Sequence, residues 1–339
     1  MKAVMWKGPF DLSVEDIPRP KPSRGEVLIK TVAVGVCGSD LEIYEGNFEH
    51  AQPPLIPGHE GGGIVEELGT GVAGIDRGSR VMVECVIHCG KCEFCREGRY
   101  GLCENGRTIG MIGADGEYAE YFTAPAENCY PLPEQVSWKE AAVTDTLAGP
   151  QHGLKGVELN PGDTAAVFGA GPAGLLFCTL LKERGASSVY VVDVQEHRLR
   201  LGPQFGADRT LNAEREEVVR IIRDATGGRG VDVVVEAAGS QKSLAEGLQV
   251  LRKGGYLLLY GIFGGPVNVD LHPIQECEYT VVGSCGLDYP AALEFLGRRA
   301  APVELLITHQ FDMQGLVDAF KSGMIKEQRD GYIKGVVLL

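Results

Sequence analysis

The spacing of apolar and polar positions changes character near Glu140. Before that point apolar runs are short and often interrupted. Residues 27–36 (V-L-I-K-T-V-A-V-G-V) combine alternation with β-branched side chains, the pattern of a half-buried strand. Pro18, Pro20, Pro22, Pro53, Pro54 and Pro57 mark turns around it. Residues 1 to about 145 are therefore expected to be β-rich. Beyond Glu140, buried-strand runs at 165–168, 189–192, 231–235, 256–260 and 280–282 alternate with helical stretches such as 214–225 and 244–251. This alternation predicts an α/β domain with a doubly wound parallel sheet. After Gly286 the texture is mixed again and ends β-like over 332–339. The simplest organisation is a first domain over 1–148, an inserted parallel-sheet domain over 149–284, and a return to the first over 285–339.

Composition narrows the class. A chain of 339 residues suits two cores better than one. With 44% apolar and 23% charged residues it reads as soluble and globular. A formal charge of −14 argues against nucleic acid or an anionic membrane as partner, since either calls for a basic face. The first nine residues carry Lys2 and Lys7 but no long apolar run follows, so no secretory signal is read. Residues 164–181 are uncharged, yet Gly169, Gly171, Gly174 and Pro172 break them, and they fall short of a ~20-residue membrane span. A cytoplasmic, reducing location is expected, with the ten cysteines as thiols or metal ligands.

The stretch 165–193 carries the first chemistry. Its opening strand runs into Gly169-Ala-Gly171-Pro172-Ala-Gly174, then an amphipathic helix, then a second strand ending in Asp193. In a G-x-G-x-x-G turn the first glycine allows the tight bend. The second admits a pyrophosphate, and the third lets helix and strand pack closely. The helix start offers free N–H groups to the phosphates. An acid roughly 20 residues on accepts ribose hydroxyls and repels a 2′-phosphate, so NAD is expected over NADP.

Cys89-x-x-Cys92-x-x-Cys95 followed by Cys103 is the second motif. Four thiolates this close can enclose one ion tetrahedrally, and their softness favours zinc in a closed, structural site. An iron–sulfur cluster is the competing reading. The gap of seven residues before Cys103 and the lack of a following proline count against it. The lobe spans about residues 85–105.

Cys37-Gly-Ser39-Asp40 and Gly58-His59-Glu60 form the third group. Hydride removal from an alcohol needs a Lewis acid beside the nicotinamide. A cysteine, a histidine and a carboxylate give three ligands and leave the fourth position open.

With these motifs in place, the chain resembles the zinc-dependent medium-chain alcohol and polyol dehydrogenases, the sorbitol, threonine and sugar dehydrogenase branch. The likeness runs through Cys37-Gly-Ser39-Asp40, Gly58-His59-Glu60-Gly61, the four-cysteine lobe, Gly116-Glu-Tyr-Ala-Glu-Tyr121, the glycine turn and Ile307-Thr-His309. It implies a GroES-like catalytic domain beside a Rossmann domain, with the active site in the cleft between them and two zinc ions per chain. Cys37 and His59 are then ligands of the catalytic zinc, and Glu60 a direct or alternating one. Asp145 stands where relatives carry the Glu of a Glu-Pro-Leu. It is expected to reach the zinc through a water or on closure; the alternative is an acid placed to suit a helix N-terminus. Ser39 is expected to take the substrate proton. Glu42 replaces the relay histidine of many relatives. Together with Tyr44 and Gln151 it is a candidate substrate contact.

By the same likeness Arg198 lies against the adenine, with a solvated helix face as its alternative. The backbone at Ala238 and Gly261 runs past the nicotinamide. The resemblance also implies a homo-oligomer, dimer or tetramer. The reaction expected is transfer of a hydride from a secondary alcohol to NAD, giving a ketone. The substrate is a polyol, a sugar or an amino-cyclitol. The alternatives are a simple alcohol or an L-threonine-like substrate, and a non-catalytic NAD-binding or structural protein. Residues 284–289 (S-C-G-L-D-Y) lack the Arg-Tyr pair of sorbitol dehydrogenases, which counts against sorbitol itself.

Overall fold

The alternating segment around residues 27–36 is the central strand of a seven-stranded sheet, β3 (Glu26–Gly35). The computed structural model describes residues 1–339 apart from the side chain of Arg329. It divides into two units, Met1–Asp145 with Tyr289–Leu339, and Thr146–Asp288. Helix Thr144–Gly153 carries the chain from the first unit into the second.

In the first unit, β1 (Lys2–Gly8) and β2 (Asp11–Asp16) form a hairpin. After β3 come β4 (Glu60–Leu68) and β5 (Arg80–Val83). The short strands β6 (Val86–Ile87), β7 (Arg107–Ile109) and β8 (Gly113–Ala114) form a small separate sheet around the cysteine-rich segment. β9 (Tyr121–Pro125) and β10 (Cys129–Pro131) return to the large sheet.

The second unit holds six parallel strands: β11 (Thr164–Phe168), β12 (Ser188–Asp193), β13 (Arg209–Asn212), β14 (Val231–Glu236), β15 (Leu251–Leu259) and β16 (Thr280–Gly283). Their spatial order, β13-β12-β11-β14-β15-β16, is the doubly wound order of a Rossmann sheet. β13 is not foreseen from sequence. It is four residues long, lies at the sheet edge and has polar residues at three positions, so no apolar run marks it. Helix 214–225 begins later than expected, at Val218, because Asn212 and Glu216 first close a turn through their side chains. The other helix runs Gln241–Val250, starting earlier because Ser240 caps it. At the amino ends of the strands, buried Asp232 accepts hydrogen bonds from Thr164, Arg229 and Arg252 and ties three strands together.

The chain then re-enters the first unit with β17 (Ile307–Phe311) and β18 (Lys334–Leu338). The large sheet runs β10-β5-β4-β3-β18-β17, with β9 also on β3. β3 is antiparallel to both β4 and β18, so Gly35 pairs with Glu60 on one side and Val336 on the other. One end of this sheet thus gathers the exit of β3 and the entries of β4 and β18. Val27, Leu28, Ile29 and Val34 of β3 are fully buried, so the strand is covered on both faces. Each such side chain contributes about 1.5–3 kcal/mol.

Candidate active site and metal centres

Cys37 leaves β3, crosses one residue and starts helix Gly38–Glu45, whose first turn carries Ser39 and Asp40. His59 immediately precedes β4, and Glu60 opens it. The sheet register therefore puts Cys37 beside His59 and Glu60, and the ligand atoms of all three lie within 4.8 Å of one another. His59 and Glu60 are buried. His59 Nδ1 faces Asp40 Oδ1 at 3.5 Å, and its Nε2 lies 3.3 Å from Ser39 Oγ. Burial pulls the imidazole pKa down, but the Asp40 carboxylate outweighs it and raises it well above the ordinary value. Burial likewise opposes the charge on Asp40, yet His59, Tyr118 and the Cys37 N–H hold it below the usual range. A carboxylate behind a histidine fixes the ring and strengthens it as a metal ligand. The donor set, one thiolate, one imidazole and one carboxylate, fits zinc with an open fourth position.

Lys334, at the entry of β18, pairs with Glu60 and also donates to Val36 O at 3.3 Å. Both side chains of the pair are 3% exposed. Sequence reasoning missed Lys334, because nothing local marks a lysine 274 residues from its partner. Glu117 was missed too. It is wholly buried, and burial pushes it well above the carboxylate range.

Asp145 is not brought into the ligand set. It sits in the first turn of its helix, where its carboxylate accepts from Tyr289 OH at 3.1 Å and Cys85 Sγ at 3.8 Å. Burial first, then the charge of Glu60, pushes it up to about 7. The helix that starts at Gly38 turns Tyr44 inward, where it is 8% exposed in the core and packs on Phe10 and Phe320, a position that argues for a packing role. Glu42, on the same helix, is exposed, and Gln151 is half-buried in the second unit.

The four cysteines of the lobe gather as their spacing predicts. Cys92 Sγ lies 3.4 Å from Cys95 Sγ and 3.9 Å from Cys103 Sγ, and Cys89 Sγ is 3.9 Å from Cys95 Sγ. All are free thiols. Tetrahedral zinc with bonds near 2.3 Å sets sulfurs about 3.8 Å apart, whereas a disulfide needs about 2.05 Å. Backbone N–H groups of Lys91 and Cys92 draw the Cys89 thiol down to about 6, toward the thiolate a metal binds.

In the second unit, Gly169 turns at φ +109, and a Cβ there would lie 2.8 Å from the Ala237 backbone. A Cβ on Gly174 would fall 1.8 Å from Gly169 O. Gly171 differs, because only Arg198 Nη1 comes within 4 Å of an added Cβ. No side chain caps the helix that starts at Pro172. That open backbone cradle fits a dinucleotide pyrophosphate. Asp193 closes the turn, accepting from Ala170 N at 2.6 Å and Gln195 N at 2.8 Å. The Arg198 side chain is 17% exposed and 3.9 Å from Asp193, not on a solvated face. Glu236, buried at the end of β14, accepts from Ala238 N, Gly239 N and Ser243 Oγ, and a Cβ on Gly261 would meet its other oxygen at 2.7 Å. It organises both expected nicotinamide loops and was not foreseen.

Comparison with known proteins agrees with this arrangement. Residues 23–134 match the alcohol dehydrogenase GroES-like domain and residues 172–298 the zinc-binding dehydrogenase domain. The chain is 32% identical over 331 residues to sorbitol dehydrogenase of Bacillus subtilis (strain 168), covering 96% of this chain and 94% of that one. It is 40% identical over 279 residues to L-threonine 3-dehydrogenase of Pyrococcus furiosus, covering 80% and 79%. Among solved structures, the short chain alcohol dehydrogenase of E. coli CFT073 complexed with NADH superposes with a TM-score of 0.92 at 29% identity, covering 100% of this chain and 99% of that one. With two matched domains, a Cys-His-Glu centre and a four-cysteine lobe, the chain belongs to the zinc-dependent medium-chain alcohol and polyol dehydrogenases, oxidoreductases of secondary alcohols.

Proposed function

We propose that the protein oxidises a secondary hydroxyl of a polyol or sugar-like substrate to a ketone, with NAD as hydride acceptor. The observation that carries this reading is the meeting of Cys37, His59 and Glu60 next to Ser39. These three residues would hold the catalytic zinc, and Cys89, Cys92, Cys95 and Cys103 the structural one. When bound, the catalytic ion supplies the Lewis acidity that lowers the pKa of the substrate hydroxyl. Ser39 Oγ takes the hydroxyl proton as it releases its own to solvent water, and His59 and Asp40 keep its surroundings fixed. Lys334 retains Glu60 whenever that carboxylate is not a ligand. Gly169, Gly171 and Gly174 admit the pyrophosphate, and Asp193 with Arg198 receives the adenosine end. Asp193 selects NAD because a 2′-phosphate would meet its negative charge. Glu42 and Gln151 are proposed substrate contacts.

L-Threonine is the second reading, favoured by 40% identity to an L-threonine 3-dehydrogenase. The full-length match to a sorbitol dehydrogenase favours a polyol. Oxidation assays with polyols, aminated cyclitols, simple alcohols and L-threonine, each with NAD and NADP, decide between them. A polyol with kcat/KM at least about tenfold above L-threonine is expected; the reverse ratio overturns the polyol reading. We further propose a cytoplasmic homo-oligomer that pairs through the exposed edge of β16. Analytical ultracentrifugation showing a monomer would remove that proposal.

A further inference from the structure

We propose that Tyr118 is a positioning residue for the catalytic metal centre, acting through Asp40 to set how firmly His59 retains its ion. The inference rests on the metal-site reading above. Tyr118 lies far in sequence from both ligand-bearing turns, yet it touches each. Its hydroxyl is 2.7 Å from Asp40 Oδ2 and 3.1 Å from Gly35 O. A hydroxyl has one proton, and the carboxylate, closer and charged, takes it. Asp40 Oδ2 also accepts from Cys37 N at 2.9 Å. Two donors thus hold one oxygen of Asp40, and the other oxygen is left turned to His59 Nδ1 at 3.5 Å. Without the Tyr118 hydroxyl, only the Cys37 N–H holds that oxygen, and the carboxylate is less firmly fixed against rotation.

The other side of the ring supports the second ligand turn. A Cβ on Gly58 would lie 2.8 Å from the Tyr118 ring, so the backbone just before His59 rests on the ring face. The main chain is locked as well, with Tyr118 N donating to Pro57 O at 3.1 Å and Glu117 N to Gly58 O at 3.0 Å. Tyr118 is 1% exposed, so no solvent competes for Asp40 from this side. The ring and main chain position the turn. The hydroxyl alone reaches the carboxylate, and Tyr118→Phe separates the two roles because it removes only the hydroxyl.

Outer partners of a ligating histidine are worth about 10–100-fold in metal affinity. Tyr118 acts one link further out, so an effect of about tenfold is expected. The test is chelator-driven zinc release from the holoenzyme, followed with a chromogenic chelator and without substrate. In the wild type two phases are expected, one per site. Tyr118→Phe should speed the catalytic-site phase about tenfold and leave the four-cysteine phase unchanged. The visible bands of the cobalt-substituted catalytic site should move as well. Asp40→Asn and the double variant with Tyr118→Phe should release zinc at the same rate, because the Tyr118 hydroxyl reaches His59 only through Asp40, while the ring that supports the Gly58 turn is kept in both.

Unchanged release and an unchanged cobalt spectrum in Tyr118→Phe, with two zinc ions bound in the wild type, overturn this inference alone. So does a double variant whose effects multiply. A wild-type chain that retains only the four-cysteine ion overturns the metal-site reading and this inference with it.

Discussion

The two metal centres are built in opposite ways. The four-cysteine lobe takes every ligand from the fifteen residues Cys89 to Cys103, and turns within that segment bring them together. The Cys37 centre is assembled by a sheet. Its ligands come from the end of β3 and the start of β4, and the lysine that holds Glu60 comes from the start of β18. A centre made from one loop depends on that loop. A centre made from three strand ends depends on their register, so its chemistry is tied to the stability of the first unit.

The sharpest way to break this comparison is to remove one thiolate from each centre. Cys37→Ser should abolish turnover, with one zinc ion lost per chain and NAD binding retained in fluorescence titration. Cys103→Ser should loosen residues 85–105 in hydrogen exchange and leave the Cys37 ion in place. If either substitution empties both centres, the two are not independent. Next in size is Lys334→Met. It leaves the Glu60 carboxylate buried without its cation and should cost about 3–5 kcal/mol in urea unfolding of the metal-free protein. A change below about 1 kcal/mol would show that the strand-end assembly does not depend on this pair.

A similar contrast between local and assembled sites exists within the second unit. The glycine turn is local, whereas Asp232 draws its partners from Thr164, Arg229 and Arg252. These partners hold its carboxyl well below the ordinary value despite burial. Since the folded state binds this proton less readily than the unfolded chain, the stabilisation is fully present above the unfolded pKa near 3.9. It is lost as pH falls through and below that value. Asp232→Asn should therefore cost about 2–3 kcal/mol at neutral pH, and the difference should shrink toward zero in acid. A difference independent of pH in thermal melts would contradict the ionic account. The smallest effect is expected at the cofactor. Asp193→Ala should move the NAD:NADP ratio of kcat/KM toward NADP by about tenfold, and an unchanged ratio would show that other residues choose.

What the sequence made legible follows the same division. The glycine turn, Asp193, the cysteine lobe and the Cys37, Ser39, His59 and Glu60 group sit in short motifs whose spacing encodes their chemistry. Lys334 had no such signal, because its role arises only when distant strands meet; Tyr118 sits in a quoted motif that does not name its partner Asp40, and nothing in the spacing around Glu236 marks it as the acceptor for the loop that follows it. Asp40 was read within its motif, but its place behind His59 needed the helix to be seen. Tyr44 was named as a polar candidate, and its short helix does not reveal in sequence which face turns inward to the core. Asp145 was open in the sequence, and its partners Tyr289 and Cys85 show why: the return of the chain at residue 289 supplies the hydroxyl that holds it.

Anomalous X-ray scattering at the zinc edge from crystals of the holoenzyme tests the central claim most directly. The account predicts two peaks per chain, one among Cys89, Cys92, Cys95 and Cys103, the other bounded by Cys37, His59 and Glu60. A single peak confined to the four cysteines, in crystals of protein that still turns over, would contradict it.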